Sequence, residues 1–274
     1  MEIRKLFLTK NDCYKRGQYI KPKGIMIHST GANNPRLSRY LPDDGLIGPN
    51  RYGNHWNRPG VGACVHAFIG LDKSGDVQAY QTLPWTMRGW HCGRSGNDTH
   101  ISFEICEDNL KDPVYFNKIY TTAVELCVEL CKQFNLSHES ICDHSEGSKR
   151  GIASAHGDVM HWFPKHGKSM DTLRTDVRIR LMNATQAIEH LARIGVINSP
   201  TYWIARYRDL KYLDELLIKL AVHCKVKKTA VNTLKDALQR LVDKGVINSP
   251  DYWLANTSKI QWLDKLIISA AEYV

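Results

Sequence analysis

Two histidines placed at the ends of short apolar runs are the residues of this chain best positioned to do chemistry. Ile25-Met26-Ile27 leads into His28-Ser29-Thr30, and Ile141-Cys142-Asp143 leads into His144. With a later aspartate they make the donor set of a catalytic zinc, three nitrogen and oxygen ligands with a fourth position kept for water. Glu104 stands between Phe103 and Ile105 in the run Ile101-Ser102-Phe103-Glu104-Ile105-Cys106. A carboxylate among apolar neighbours is costly unless it is paired or used. Spacing alone leaves a second account open, because the chain holds 12 histidines and a lone histidine at a strand end also serves as a hydrogen-bonded core residue.

The elements that must position these groups read as a layered α/β arrangement. The apolar run between Pro22 and Gly31 is too short for a helix and predicts a buried strand ending at His28, where open sheets place their ligands. Residues 65–70 and 77–81 predict a hairpin around Leu71-Asp72-Lys73-Ser74-Gly75-Asp76, and residues 101–106 a further strand. Ile119, Ala123, Leu126, Cys127, Leu130, Cys131 and Phe134 recur at helical spacing, so residues 116–134 predict an amphipathic helix over one sheet face. A short strand ending at His144 follows, then a polar loop over 145–166 carrying His156, Asp158 and His161, then a helix over 172–180. Residues 31–62, rich in Gly, Pro, Asn and Arg, read as a long irregular connection suited to a groove wall.

Composition excludes several classes. No apolar run approaches the ~18 residues of a membrane span, and the segment from Met1 to Leu6 lacks a signal-peptide core, so the expectation is synthesis in the cytoplasm without membrane insertion. The net charge of +9 is spread along the chain without a basic, aromatic-bearing stripe, which argues against a nucleic-acid partner. The eight cysteines form no CxxC pair and read as reduced small hydrophobes.

Taken in order, Ile-Met-Ile-His28-Ser-Thr, Trp90-His91-Cys92-Gly93, Ile101-Ser102-Phe103-Glu104-Ile105, Ile141-Cys142-Asp143-His144-Ser145 and Gly167-Lys168-Ser169-Met170-Asp171 closely resemble the zinc N-acetylmuramoyl-L-alanine amidases of the type-2 amidase and peptidoglycan-recognition-protein superfamily. The resemblance covers roughly residues 20–178. It implies His28 and His144 as two zinc ligands, Asp171 as the third, Glu104 as general base and Lys168 as the oxyanion-stabilising cation. Two residues separate Lys168 from Asp171 where the family has one, which makes His156 a rival ligand and Lys165 a rival cation. Trp90 and His91 are expected to face substrate, with loop packing as the alternative. The substrate so implied is peptidoglycan, cut between N-acetylmuramic acid and L-alanine by an endolysin-like enzyme that reaches the wall after release. A non-catalytic recognition protein and a cytoplasmic muropeptide-recycling amidase are the competing readings.

Residues 195–203, Gly-Val-Ile-Asn-Ser-Pro-Thr-Tyr-Trp, recur at 245–253 with Asp in place of Thr. The match extends to Leu191 and Leu241, Tyr212 and Trp262, and Leu213-Asp214 and Leu263-Asp264. Gly195 and Gly245 suit the position after a helix, and Ser199-Pro200 and Ser249-Pro250 read as an N-cap followed by proline. A short basic linker over 225–230 joins the copies. The expected organisation is an α/β catalytic domain over 1–178, with a mixed central β-sheet flanked by helices, followed by a small all-α repeat domain over 179–274, its repeats at about 185–224 and 235–274. Anchoring to the cell wall is the expected role of the tail, against a ligand-free bundle or a dimerisation element.

Overall fold

The computed structural model describes residues 1–224, 229–231 and 233–274, and its chain divides into two units, Met1–Val177 and Arg178–Val274. The first contains β1 (Arg4–Lys5), α1 (Asp12–Arg16), β2 (Gly24–Ser29), β3 (Ala67–Leu71), β4 (Val77–Gln81), β5 (His100–Ile105), α2 (Pro113–Phe134), β6 (Ile141–Asp143), α3 (His144–Lys149) and most of α4 (Met170–Arg180). The strands form one sheet in the order β1-β4-β3-β5-β2-β6. Only the β3–β4 hairpin is antiparallel, so the sheet is mixed. Most of residues 31–62 is irregular, broken by a single 3-10 turn at Leu37–Arg39.

Strand β2 lies between β5 and β6 and all six of its residues are buried, which is why it is an unbroken apolar run rather than an alternating one. Its first residue must be small: a Cβ on Gly24 would sit 2.5 Å from the Ser140 carbonyl oxygen and 2.7 Å from the His100 ring. Helix α2 starts where Asp112 accepts the Val114 and Tyr115 amides and Pro113 takes the first turn, and it ends at Asn135, which adopts the left-handed conformation. Its buried stripe includes Phe116, Ile119, Ala123, Cys127 and Cys131, so these cysteines fill core as their spacing suggests.

Three expectations change. Strand β6 stops at Asp143, whose side chain caps α3 by accepting the Glu146 amide, so His144 opens a short helix instead of closing a strand. The two small elements β1 and α1 lack any periodic apolar signature. Cys13 and Cys64 are joined as a disulfide, while the other six cysteines are free and buried. Helix α1 folds back against the segment before β3, which brings together two cysteines 51 residues apart. Among the described residues no helix is long and apolar enough to cross a membrane.

The second unit is helical: α5 (Ala184–Arg193), α6 (Pro200–Arg206), α7 (Leu213–His223), α8 (Leu234–Asp243), α9 (Pro250–Asn256) and α10 (Leu263–Tyr273). One apolar core serves all six, with Leu191, Trp203 and Leu217 joined to Leu241, Trp253 and Ile267. Gly195 and Gly245 follow α5 and α8 at positive φ, 83° and 70°. Pro200 and Pro250 begin α6 and α9, yet neither Ser199 nor Ser249 caps its helix through the side chain. The basic linker falls mainly outside the described residues.

Candidate metal centre and active site

Parallel pairing of β2 with β5 sets His28 beside Glu104, and pairing with β6 sets Ile27 beside Asp143, so His144 enters next to His28. Met26 and Cys142, two residues before the histidines, pack with Cys92 and Ala153. The loop after α3 is folded onto this face by backbone bonds: Ser154 N donates to the Cys92 carbonyl at 2.8 Å and Gly96 N to the Ile152 carbonyl at 2.8 Å. That return carries Asp158 to the histidines.

His28, His144 and Asp158 converge, with one donor atom from each lying within 4.8 Å of the others. His28 Nδ1 is 3.1 Å from Asp158 Oδ2 and 3.1 Å from His144 Nδ1, and His144 Nδ1 is 3.7 Å from Asp158 Oδ2. Ligands on a tetrahedral zinc at ~2.0–2.1 Å stand about 3.3 Å apart, a value these separations bracket. Two imidazole nitrogens facing each other and one carboxylate oxygen cannot all be satisfied by the protons available, whereas a cation satisfies all three. The charge states fit as well. Burial, and then His28, push the His144 pKa down to about 4, which keeps its imidazole neutral. Burial works to raise the Asp158 pKa, but the His28 hydrogen bond and the nearby histidines outweigh it, so the carboxyl titrates below its ordinary value. A neutral imidazole at His144 and an ionised carboxylate at Asp158 suit a metal.

Outer contacts orient the two rings. His28 Nε2 is 2.9 Å from His91 Nδ1, and His144 Nε2 is 3.2 Å from Ser154 Oγ. Burial and then His28 hold the His91 pKa well below the ordinary histidine value. His91 is itself set by Asn97, whose Oδ1 accepts the His91 and Cys92 amides at 2.9 and 3.0 Å. His91, expected either to face substrate or to pack within its loop, sets its ring against His28. Trp90 is half-buried, lining a shallow depression with Asp12, Lys15 and Arg16. Glu104 is half-buried, and its Oε2 is covered and has no hydrogen-bond partner among the described residues. Burial raises its pKa to about 7, with His28 opposing and Asp158 and Glu107 adding to the shift.

Two expected residues lie elsewhere. Asp171, in the first turn of α4, is 89% exposed and bonded to Arg174 Nη2 at 2.6 Å. Arg174 also donates to both Glu146 oxygens, at 2.8 and 3.0 Å, so Asp171 belongs to the pairing of α4 with α3. Lys168 Nζ is 3.4 Å from Asp176 Oδ2 and 4.5 Å from the centre of the Tyr120 ring, a surface arrangement between α2 and α4. His156 stands at the trio instead, its ring 4.7 Å from that of His144. The signal for Asp158 was present in Ala155-His156-Gly157-Asp158, a polar run two residues from a histidine.

The sheet and the trio gathered where β2 ends define an α/β protein with the donor set of a metal-assisted hydrolase. The family model for N-acetylmuramoyl-L-alanine amidase, Amidase_2, matches residues 18–160, and the chain belongs to that family. It is an N-acetylmuramoyl-L-alanine amidase acting on peptidoglycan. The matched stretch contains His28, Glu104, His144 and Asp158 and stops short of Lys168 and Asp171. Similar solved structures include PlyL, with 24% identity over 65% of this chain and 97% of that one and a TM-score of 0.47. The catalytic domain of XlyA has 20% identity over 65% of this chain and 99% of its own, with a TM-score of 0.47. The Staphylococcus aureus hydrolase AmiA has 20% identity over 64% and 80%, with a TM-score of 0.47. No curated protein matches the chain.

Proposed function

We propose that His28, His144 and Asp158 hold one zinc ion, that Glu104 is the general base, and that the helical unit is a duplicated wall-binding module. The observation carrying this reading is the convergence of three metal-competent donors beside a carboxylate whose pKa stands near 7. When bound, zinc polarises the carbonyl and lowers the pKa of a water toward ~7. Glu104 takes a proton from the attacking water and delivers it to the departing nitrogen. The C–N bond breaks, leaving a carboxylate on the muramic acid lactyl group and a free amine on L-alanine. A pKa near neutrality suits both halves of that transfer. His156, exposed beside His144, fills the role expected of Lys168 by donating a hydrogen bond to the developing oxyanion. His91 keeps the His28 ring in the orientation that turns Nδ1 to the ion.

For the tail, the supporting observations are a shared core and two equivalent sets of helices that display exposed aromatics, Tyr212 and Trp262. An enzyme with a soluble substrate has no need of a duplicated binding unit, whereas one working on an insoluble polymer gains by avidity. The test is digestion of purified walls with and without chelator, scored for new amino groups and new reducing ends. The proposal expects amino groups alone, abolished by chelator and restored by zinc; new reducing ends, or activity indifferent to chelator, would contradict it. The inactive Glu104→Gln chain should co-sediment with walls.

A further inference from the structure

The helical unit contains two cavities related by the 50-residue offset of its sequence, of about 360 and 370 Å³. Each is built from both copies. The first joins Asn248, Ser249, Tyr252 and Trp253 of the second copy to Tyr212 and Leu216 of the first. The second joins Asn198, Ser199, Tyr202 and Trp203 of the first copy to Trp262 and Leu266 of the second. Reciprocal bonds fix this exchange: Tyr202 Oη donates to the Gln261 carbonyl at 2.9 Å and Tyr252 Oη to the Lys211 carbonyl at 2.8 Å.

Core packing accounts for Trp203 and Trp253, but it does not account for the residues at the rims. Tyr212 and Trp262 are 44% and 47% exposed and adopt φ of 67° and 70°, a region that strains a bulky side chain and that glycine occupies freely. Both copies nonetheless carry an aromatic there. A lysine lies over each ring from a different sequence position, Lys211 Nζ 4.6 Å above Tyr212 and Lys265 Nζ 4.2 Å above Trp262. Ser199 and Ser249 line the cavities without capping the helices they precede, and the Ser249 hydroxyl donates to Asn248 Oδ1 at 3.3 Å, joining the Asn–Ser pair. The charged residues of the linings do not correspond, since Glu215 and Lys219 of one stand where Lys265 and Ser269 occupy the other. Each lining holds one lysine, Lys219 in one and Lys265 in the other, at non-equivalent positions; what the equivalent positions share is an aromatic, an asparagine and a serine.

We propose that these cavities are two equivalent saccharide sites, each taking an uncharged sugar unit of the wall's glycan strand. The apolar C–H face of a sugar ring stacks on Tyr212 or Trp262, and its hydroxyl and amide groups meet the Asn–Ser pair. The volumes lie at the lower end of the roughly 300–1,000 Å³ of small-ligand pockets, in keeping with a short segment of a longer polymer. This assignment rests on the wall-binding reading of the tail. Because each site needs both copies, a single copy would bind nothing, which gives the duplication a physical reason.

The test uses the full chain carrying Glu104→Gln, so that the wall is not consumed, with two probes: intact purified walls in a sedimentation assay and peptide-free glycan strands in a calorimetric titration. Tyr212→Gly and Trp262→Gly remove the stacking faces while relieving the positive φ, and thermal unfolding checks that they fold. Asn198→Ala with Asn248→Ala is a second, independent pair. Two glycan segments should bind per parent chain and one per single glycine variant, each of which should weaken sedimentation by at least ~10-fold, the double variant losing both. A double variant that titrates glycan as the parent does would overturn the proposal, as would displacement from walls by stem-peptide fragments but not by glycan. Parent chain that sediments with walls yet ignores free glycan defeats the saccharide assignment alone. Parent chain left in the supernatant defeats the anchoring reading as well.

Discussion

Asp158 and Asp171 offer the same carboxylate in opposite surroundings. One is drawn below its ordinary pKa between two imidazoles, while the other is exposed and spent on Arg174. Asp158→Ala should therefore abolish wall hydrolysis, and Asp171→Ala should leave the rate within about two-fold. Glu104→Gln keeps the shape of the site but removes the proposed base, and a loss of ~10²–10⁴ in kcat is expected. The sign of the pH dependence follows from the base being active when ionised: kcat/KM should fall as pH drops through about 7, the value to which burial raises Glu104. A profile flat from pH 5 to 8 would remove Glu104 from that role. His91→Ala should cost 10- to 100-fold in zinc affinity, measured by chelator competition, because His28 loses the partner of its outer nitrogen. Much of this was readable from residue types. His28, His144 and Glu104 announce themselves as polar groups at or within apolar runs, but Asp158 lies in a polar loop where a carboxylate carries no such contrast. Counting onward from a lysine led instead to Asp171.

At the scale of elements, the site depends on how closely β2 approaches its neighbours. Gly24→Ala would place a methyl group 2.5 Å from the Ser140 carbonyl oxygen, and the displacement of β6 should cost about 1–3 kcal/mol, read as a lowered Tm together with weaker zinc binding. Asp112→Ala removes the acceptor for two amides at the start of α2 and should cost ~1 kcal/mol without affecting the metal. The long helix was legible from an apolar period sustained over many residues, β3, β4 and β5 from short runs bounded by turn residues, and β2 from a continuous apolar run too short for a helix. The two-residue β1 and five-residue α1 are too short to have a period. Helix α3 escaped for another reason: its cap, Asp143, belongs to a strand by pattern and becomes an N-cap only because the chain turns there. The disulfide between Cys13 and Cys64 depends on that same non-local folding.

The whole molecule combines a cleaving unit with a helical unit whose two copies share one core. The copies were legible as repeated text, since nine consecutive residues recur with one change; their exchange of Tyr202 and Tyr252 across the pair was not, because an offset in sequence says nothing about which copy a side chain meets. A chain ending at residue 177 should still cleave a soluble muropeptide while its retention on walls falls by ~10²-fold or more. The account turns on a cation held by His28, His144 and Asp158, and elemental analysis of the purified wild-type, Asp158→Ala and Asp171→Ala chains tests it most directly. One zinc per chain is predicted for the wild type and for Asp171→Ala, and none for Asp158→Ala. A zinc-free wild type, or zinc lost from Asp171→Ala but kept by Asp158→Ala, would contradict it.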